Sequence, residues 1–516
     1  MTNTYEMVAF ILYFVLVIGV GIYFYFTNKA QNEKDYFLGG RNMNGIVSAL
    51  SAGASDMSAW VLMGLPGSIF LYGMGQVWIS IGLFIGTVLS WIFVAPNLRR
   101  YTIETDSITI PEFLTKRFNV ASPVMRVSCA VVFMIGYALY AGSSIFACGQ
   151  LFHMLIPAVD QRIAMVIAAI IILVYTLLGG FNAVSWTDFF QGMLMLMALM
   201  VVPIVAFFVL KATGSVGTVV TPENYYNLLP SGKFDWASIS TMLTGMGWGL
   251  GYFGMPHIIV RFMAIKSEKE LRKSQIIGST WTGLILLMAT LMALVAHEYL
   301  GDSLDPSNKN LVFVNVVRKI FDNGALALLG GIIISAIVAA SMSTADSQLL
   351  ASSNAFASDL YKTTINKKAS DKKVLSMGRY AVAGIAVVAL IIALITYQYN
   401  LGGIMELVSA AWSIFGASFG PAILLALFWR RFNYKGAVSA VITGFLVSIL
   451  WMALFNLEYY GFKSLVYNTN LYEIIPGFIC SLVVGYAVSS LTEKPTEDVV
   501  NTFDKVKSLK HENLNK

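Results

Sequence analysis

The chain consists of long apolar segments separated by polar loops, and this pattern limits the folds that are open to it. A helix needs roughly 20 mostly apolar residues to cross a bilayer. Thirteen segments meet this requirement, with approximate bounds at 5–26, 46–70, 76–98, 124–150, 162–181, 189–211, 236–258, 276–299, 325–360, 377–397, 403–428, 437–456 and 471–491. Charged residues make up only 12% of the chain, whereas soluble domains have about 25%. The sequence therefore predicts an all-α polytopic membrane protein with about 13 transmembrane helices.

The basic residues are concentrated in alternate loops. Of the 34 Lys and Arg residues, 27 fall in the C-terminal tail and in the loops at 27–45, 99–126, 179–188, 259–275, 361–379 and 429–436. Basic loops stay in the cytoplasm, so we expect the N-terminus outside and the C-terminus inside. The polar tail, 492–516, is predicted to be solvated and partly disordered. The net charge of +6 therefore reflects topology and does not indicate nucleic-acid binding.

Segment two, 46–70, is polar where a membrane helix is normally apolar. Asp56 lies near its middle, with Ser51, Ser55 and Ser58 close by in the sequence. A carboxylate at membrane depth costs at least about 2.5–3.5 kcal/mol, and such residues are functional by default. Small and hydroxylated residues allow a helix to open, and the freed backbone groups can then bind an ion and a solute. The alternative is a helix-packing seam with one buried, hydrogen-bonded Asp56.

Segment seven, 236–258, is interrupted in a similar way. Five glycines lie between 245 and 254, and Pro256 follows them. Each glycine weakens a helix by about 1 kcal/mol relative to alanine, so this span can also unwind. Interruptions at matching places in two halves indicate the site of a secondary transporter, and segments 2–6 and 7–11 would then be inverted five-helix repeats. Close helix packing through glycines is the alternative.

Segment nine, 325–360, is nearly twice as long as a membrane crossing requires. Helical spacing places Ala340, Ser343 and Thr344 on one face. Their carbonyl and hydroxyl oxygens are the kind of ligand that hard cations prefer, and they would supply half of a sodium shell. An unwound segment two could supply the rest. The alternative is that the hydroxyls bond back to their own helix, which is common.

No motif in the sequence indicates an enzyme or an ATP-driven pump. The chain lacks a GxxxxGK[S/T] phosphate loop, which is the usual nucleotide-binding signature. Cys129, Cys148 and Cys480 are scattered and support neither a disulfide framework nor a metal site. The four histidines show no ligand spacing either. We therefore expect no organic cofactor and a process driven by an ion gradient.

Four stretches resemble the sodium/solute symporter family: LSAGASDMSAWVLMGLPG, LLGGFNAVSWTDFFQ, WGLGYFGMPHIIVRFMA and MSTADSQLLASSNAFASDLY. The resemblance implies the LeuT-like inverted-repeat fold of the neurotransmitter-sodium symporters, with one extra helix before the ten-helix core and two after it. The implied units are 1–45 (first helix and loop), 46–211 (first repeat), 236–428 (second repeat), 429–491 (two further helices) and 492–516 (tail).

The resemblance also implies the residues of the site. Sodium is expected to bind the backbone carbonyls of Ala54, Met57 and Ala340 and the hydroxyls of Ser343 and Thr344. Asp56, Asp188 and Arg41 match positions that couple sodium to transport. Six residues match positions implicated in binding proline, the implied solute: Ser58, Trp60, Tyr140, Trp248, Tyr252 and Pro256. Many family members lack an acid at Asp346, so the number of sodium ions moved stays open.

Proline also suits such a site by its own chemistry. Its carboxylate fits the exposed amides of a half-helix N-terminus, where the helix dipole favours anions. Its compact apolar ring fits a wall of aromatic side chains. We expect no arginine or lysine at the bilayer midplane, which disfavours di-acids as the solute.

These observations predict sodium-coupled import of L-proline by alternating access in a bacterial cell membrane. Sodium would be the coupling ion, and one chain would suffice, whatever the oligomeric state. The nearest alternative keeps the family and changes the solute to another small metabolite or osmolyte. A membrane receptor that binds proline without moving it is a weaker alternative, because the tail is too short for an output domain. A channel is weaker still, because broken helices with an aromatic wall suit a carrier.

Overall fold

The computed structural model describes residues 4–27, 38–178, 181–214, 221, 223–301, 304, 306–321, 323–455 and 469–512. The turn at 179–180 and much of the predicted loop at 27–45 lie outside these residues. Within them the elements are helical, apart from an isolated parallel bridge between Met43 and Ile265. In chain order the helices are α1 (Thr4–Thr27), α2 (Gly45–Asp56), α3 (Trp60–Tyr72), α4 (Met74–Glu104), α5 (Ile110–Lys116), α6 (Val124–Leu155), α7 (Gln161–Leu178), α8 (Phe181–Thr213), α9 (Trp236–Gly247), α10 (Pro256–Ala264), α11 (Glu268–Leu300), α12 (Val312–Ile320), α13 (Gly324–Ile365), α14 (Asp371–Tyr399), α15 (Ile404–Phe428), α16 (Tyr434–Phe455), α17 (Ile474–Leu491) and α18 (Glu497–Glu512).

Most of these helices have the length and composition of membrane spans. Among the described residues, nine helices are long and apolar enough to cross a bilayer, and α2 with α3 forms a further span bent by 61°. Two shorter apolar helices, Thr4–Val20 and Gln161–Leu177, belong to α1 and α7. The prediction of a polytopic, all-helical membrane protein is confirmed.

The span formed by α2 and α3 is broken at its middle. Asn44 caps the start of α2, because its side chain accepts a hydrogen bond of 2.9 Å from the amide of Val47. The helix ends at Asp56, whose carbonyl then accepts the amide of Ser58 at 2.9 Å in a tight turn. Helical structure resumes at Trp60. The predicted break in segment two is confirmed, and it falls next to the carboxylate.

Segment seven is also broken, as predicted. After α9 the chain tightens into the 3₁₀ segment Trp248–Phe253, and the helical path is interrupted at Met255. Pro256 begins α10, a position where its missing N–H is not needed. The amides of Ile258 and Ile259 both donate to the Met255 carbonyl at 3.1 Å, which closes the first turn.

The glycines of segment seven serve close packing as well as unwinding. A side chain at Gly86 of α4 would lie 2.6 Å from the Cα of Gly249, and one at Gly82 would lie 2.7 Å from the Cα of Met246. Only glycine allows two backbones to approach in this way. The glycines therefore fit both interpretations, because they allow the helix to unwind and also allow close packing against α4.

Helix α13 lies at the centre of the bundle. It runs without interruption for 42 residues, from Gly324 to Ile365, and ends in a π-helical stretch at Ala355–Ile365. It packs against α1, α6, α8 and α14 and also contacts α2. The unusual length predicted for segment nine is confirmed.

Two expectations about the ends of segments are wrong. Segment seven was predicted to end near 258, but α10 continues to Ala264 because no residue after Pro256 interrupts the helix. The tail was predicted to be partly disordered, but 497–512 form the helix α18, which packs against α4. Phe503 is buried there, and Lys505 pairs with Glu104 at 2.6 Å. Burial of an apolar face explains why this polar segment is ordered.

Candidate functional site

The break between α2 and α3 faces the middle of α13. The Ser343 hydroxyl oxygen lies 2.9 Å from the carbonyl oxygen of Ala54 and 3.0 Å from that of Ala340. The Thr344 hydroxyl oxygen lies 3.4 Å from the same Ala54 carbonyl. All four residues are completely buried. Four oxygens from two helices thus converge at one place, and the back-bonding expected as the alternative for Ser343 is present together with this contact.

The oxygens at this place suit a hard monovalent cation. They are carbonyls and hydroxyls without sulfur or nitrogen, which is the donor set that sodium-like ions prefer. The fifth predicted ligand, Met57, is buried at the first position after α2, and its amide donates to the Gly53 carbonyl at 2.8 Å. Because Met57 follows the last residue of α2, its own carbonyl lies beyond the helix ladder of α2.

Asp56 lies at the centre of a set of buried hydrogen bonds. The Tyr252 hydroxyl donates to its Oδ2, which joins the break in segment two to the break in segment seven. The Asp56 carbonyl accepts from the Tyr140 hydroxyl at 3.0 Å and from the Trp60 Nε1 at 3.1 Å. The other carboxylate oxygen, Oδ1, is buried without a hydrogen-bond partner among the described residues. Asp56 thus has an unused acceptor atom inside the bundle.

Aromatic side chains cover the two breaks. The rings of Trp60 and Trp248 lie 6.2 Å apart, and Trp412 lies 6.2 Å from Trp248 and 5.2 Å from Tyr252. The Trp412 Nε1 donates to the Trp248 carbonyl at 2.8 Å. The hydroxyl of Tyr472 adds a bond of 2.8 Å to the Ser409 carbonyl, and its ring lies 5.1 Å from Trp248. These rings form one cluster, here called the aromatic wall, and its role in binding a solute stays a prediction.

Asp188 lies in a second buried network. Its Oδ2 accepts from Ser51 at 2.7 Å and from Arg261 at 2.9 Å. Arg261 also donates to Ser51 at 2.8 Å and to Ser347 at 2.6 Å. The side chains of Arg261 and Asp188 are only 2% and 0% exposed. The network therefore joins both broken spans to α8 and α13.

The position of Arg261 corrects one expectation. The sequence places this residue in the basic loop at 259–275, outside the membrane segments. The longer α10 carries Arg261 into the bundle, where Asp188 balances its charge. An arginine within six residues of a helix-starting proline could have signalled this position.

Asp346 lies close to the same network. It is fully buried on α13, and neither of its carboxylate oxygens has a hydrogen-bond partner among the described residues. The next residue, Ser347, contacts both Arg261 and Asp188. Among the described residues Arg261 forms an ion pair with Asp188, and no ion pair joins Arg261 to Asp346.

The remaining predicted residues lie at separate places. Arg41, in the loop before α2, donates to the carbonyls of Met263 at 2.8 Å and Thr102 at 2.9 Å, and so ties that loop to the ends of α10 and α4. Burial lowers the pKa of its guanidinium. Ser58 accepts the Trp60 amide at 3.4 Å. Pro256 lines a cavity with Arg261 and Ser347, apart from the aromatic wall.

Sequence comparison places the chain among known transporters. Residues 36–444 match the model of the Sodium:solute symporter family. The high-affinity proline transporter PutP of Bacillus subtilis (strain 168) is 40% identical over 492 residues, which cover 95% of this chain and 98% of that protein. The osmoregulated proline transporter OpuE of the same organism is 38% identical, with 96% and 98% covered. A sodium/proline symporter of Staphylococcus aureus (strain JH9) is 39% identical, with 99% and 97% covered.

Solved structures share the fold at low sequence identity. A Na⁺-coupled sialic acid symporter in a substrate-bound outward-open state superposes with a TM-score of 0.74 at 18% identity, covering 96% of this chain and 100% of that one. MHP1, a nucleobase-cation-symport-1 family transporter, superposes with a TM-score of 0.51 at 14% identity, covering 91% and 98%. These structures show the fold alone. The family match and the relatives of 38–40% identity show that the chain belongs to the sodium:solute symporter family, whose members are transporters and not enzymes.

Proposed function

We propose that this chain imports L-proline together with sodium by alternating access. The observation that carries the proposal is the convergence of the Ala54 and Ala340 carbonyls with the hydroxyls of Ser343 and Thr344. These oxygens come from a broken helix and from the central helix of the bundle. An ion held between them links the two elements, so its arrival and departure can bias their relative position.

In this proposal the sodium ligands are the carbonyls of Ala54, Met57 and Ala340 and the hydroxyls of Ser343 and Thr344. Asp56 couples the ion to the solute, because it lies two residues from Ala54 and accepts the hydroxyl of Tyr252. Asp188 acts further along the path of the ion. Arg41 holds the loop before α2 to α10, which links the two broken spans on the side of that loop.

The solute site lies under the aromatic wall. Three close relatives are named as proline transporters, and their similarity extends over nearly the full length of this chain. The rings of Trp60, Trp248 and Tyr252 offer an apolar surface that suits the proline ring, and the positive end of the helix dipole at the start of α10 suits its carboxylate. We assign Ser58 and Tyr140 to this site from their places at the break in segment two, and Pro256 to its border at the break in segment seven, where it begins α10.

The proposed topology has thirteen spans. The inverted repeats are 46–211 and 236–428, so each begins with a broken span. One helix precedes them within 1–45, two follow within 429–491, and 492–516 form the tail. The N-terminus is outside and the C-terminus in the cytoplasm, and the bilayer is a bacterial cell membrane, as the names of the relatives support. A single chain supplies every proposed site residue, and no organic cofactor is required.

The energetics allow useful accumulation with one ion. A sodium ion that crosses a potential of about 100 mV releases about 2.3 kcal/mol. A tenfold sodium gradient adds about 1.4 kcal/mol. The sum of about 3.7 kcal/mol sustains roughly a 500-fold proline gradient at one-to-one coupling.

The test is uptake of radiolabelled L-proline into proteoliposomes that contain only this protein. We expect accumulation with an inward sodium gradient, and its loss when potassium replaces sodium or when a sodium ionophore is added. Accumulation of another solute in the same vesicles, with none of proline, would overturn the solute assignment. Bound proline without any flux would overturn transport itself.

A further inference from the structure

Beyond the proposed sodium site, helix α13 carries further side chains with oxygen atoms. Ser347 follows Ser343 by four residues, and Asn354 follows Ser347 by seven. These spacings place all three side chains on one helix face. Each is buried, with Asn354 the most exposed at 7%. A buried polar stripe on a membrane helix is costly unless it faces polar partners or water.

The π-helical stretch extends this stripe to an acidic residue. From Ala355 to Ile365 the turns are wider than in an α-helix, with bonds between residues five apart. Asp359, five residues after Asn354, therefore continues the stripe, whereas a regular α-helix would place Ser358 there. Asp359 is 1% exposed.

A cavity runs along this part of α13. Its walls include Ser347, Asn354 and Asp359 on α13, together with Arg261 on α10 and Thr109 just before α5. The Asn354 carbonyl oxygen, Oδ1, has no hydrogen-bond partner among the described residues. A buried amide oxygen without a partner has an acceptor available for a passing ion or water.

The two ends of the cavity differ in charge. At the end of the cavity nearer the proposed sodium site, Asp188 balances the charge of Arg261 at a distance of 2.9 Å. Because of this pairing, Arg261 does not strongly repel a cation. At the other end Asp359 accepts from the Thr109 hydroxyl at 3.3 Å and lies 3.9 Å from Arg126, which is a loose ion pair. Arg126 also lies 3.5 Å from Glu112, so it keeps a second carboxylate as its partner when it separates from Asp359.

We propose that sodium leaves for the cytoplasm along this stripe, past Ser347, with Asn354 and Asp359 as transient ligands. The proposal rests on the proposed function. Asn354 supplies a neutral oxygen midway along the cavity. Asp359 supplies a negative charge at its end, where the arriving ion replaces the loosely held Arg126 and then passes into solution.

The test separates net transport from exchange in proteoliposomes. Net uptake requires sodium to leave inward on every cycle, whereas exchange of proline at equal, saturating sodium on both sides does not. We expect Asn354→Ala and Asp359→Asn to slow net uptake by about tenfold. Proline exchange and sodium-dependent proline binding should stay within about twofold of the unaltered protein. Asp359→Glu, which keeps the charge, should retain most of the net rate.

Matched controls come from two residues that do not line the cavity. Ser353→Ala alters a buried polar side chain next to Asn354 that bonds back to Leu350, and Asp371→Asn alters an exposed carboxylate. Both should transport normally. Unchanged net uptake in both test variants would overturn the proposal, and so would an equal fall in net uptake and exchange, which indicates a structural role. Absence of sodium-driven uptake by the unaltered protein would instead overturn the proposed function.

Discussion

Ser343 makes the shorter of two side-chain contacts between the helices of the proposed sodium site. Its hydroxyl lies within 3.0 Å of carbonyl oxygens on both α2 and α13. Thr344 reaches only the α2 carbonyl, at the longer distance of 3.4 Å. The two hydroxyls therefore contribute unequally, and Ser343 has the larger share of the contact between the helices.

Removal of the Ser343 hydroxyl is expected to weaken sodium binding. Ser343→Ala should raise the sodium concentration for half-maximal proline uptake by about tenfold, which corresponds to about 1.4 kcal/mol for one lost ligand. Thr344→Ala should have a smaller effect in the same direction. The matched control is Ser341→Ala, because the Ser341 hydroxyl is equally buried but bonds back to Ile337 at 2.9 Å. An unchanged sodium dependence in Ser343→Ala would remove this residue from the site.

Asp188 and Arg261 form a buried ion pair that is expected to stabilise the protein. Asp188→Ala leaves a buried arginine without its counter-charge, and breaking such pairs costs about 3–5 kcal/mol. We expect a marked fall in thermal stability of the purified protein in detergent. Asp504→Ala breaks the exposed pair with Arg430 and should leave stability unchanged. A stable Asp188→Ala variant would mean that Arg261 finds another partner.

At the scale of elements, the contact between α4 and the 3₁₀ segment limits how segment seven can move. The backbones of Gly86 and Gly249 meet without side chains between them. Gly86→Ala is therefore expected to cost about 1–3 kcal/mol by overpacking and to slow uptake. Gly384→Ala is the control, because a Cβ at Gly384 meets nothing within 4 Å. Equal uptake by both variants would contradict a role for this contact.

Helix α18 is held to the bundle chiefly by its apolar face. Phe503 is 6% exposed and lies 5.0 Å from the guanidinium of Arg117. Phe503→Ala should release the helix and make it more sensitive to proteolysis in inside-out vesicles. Asn501→Ala changes an exposed residue of the same helix and should not. Equal cleavage of the two variants would show that the polar contacts hold α18 without Phe503.

Sequence reasoning succeeded where the cause is local. The breaks in segments two and seven follow from small residues, a buried Asp56 and Pro256, all of which act within one span. The pairing of Asp188 with Arg261 joins residues 73 positions apart, and Tyr472 meets Trp248 across a still longer separation. Such contacts depend on how distant helices pack, and the spacing of residues within one segment does not reveal them. The α18 helix was missed because its polar composition obscures three buried apolar residues.

At the scale of the whole molecule, the two breaks form one connected polar interior. Tyr252 joins Asp56 to the 3₁₀ segment, and Arg261 joins Asp188 to α10 and α13. A cavity continues from Arg261 towards Asp359. Motion of either broken span must therefore disturb the oxygens of the other, which is the physical requirement for coupling an ion to a solute.

The most direct test of coupling is simultaneous uptake of radiolabelled sodium and radiolabelled proline by the same proteoliposomes. The two fluxes should rise together in a fixed ratio as external proline is raised, and that ratio gives the number of ions per solute. Asp56→Asn should abolish the proline-stimulated sodium flux while the protein remains folded. Proline accumulation without any proline-stimulated sodium entry would contradict sodium-coupled symport.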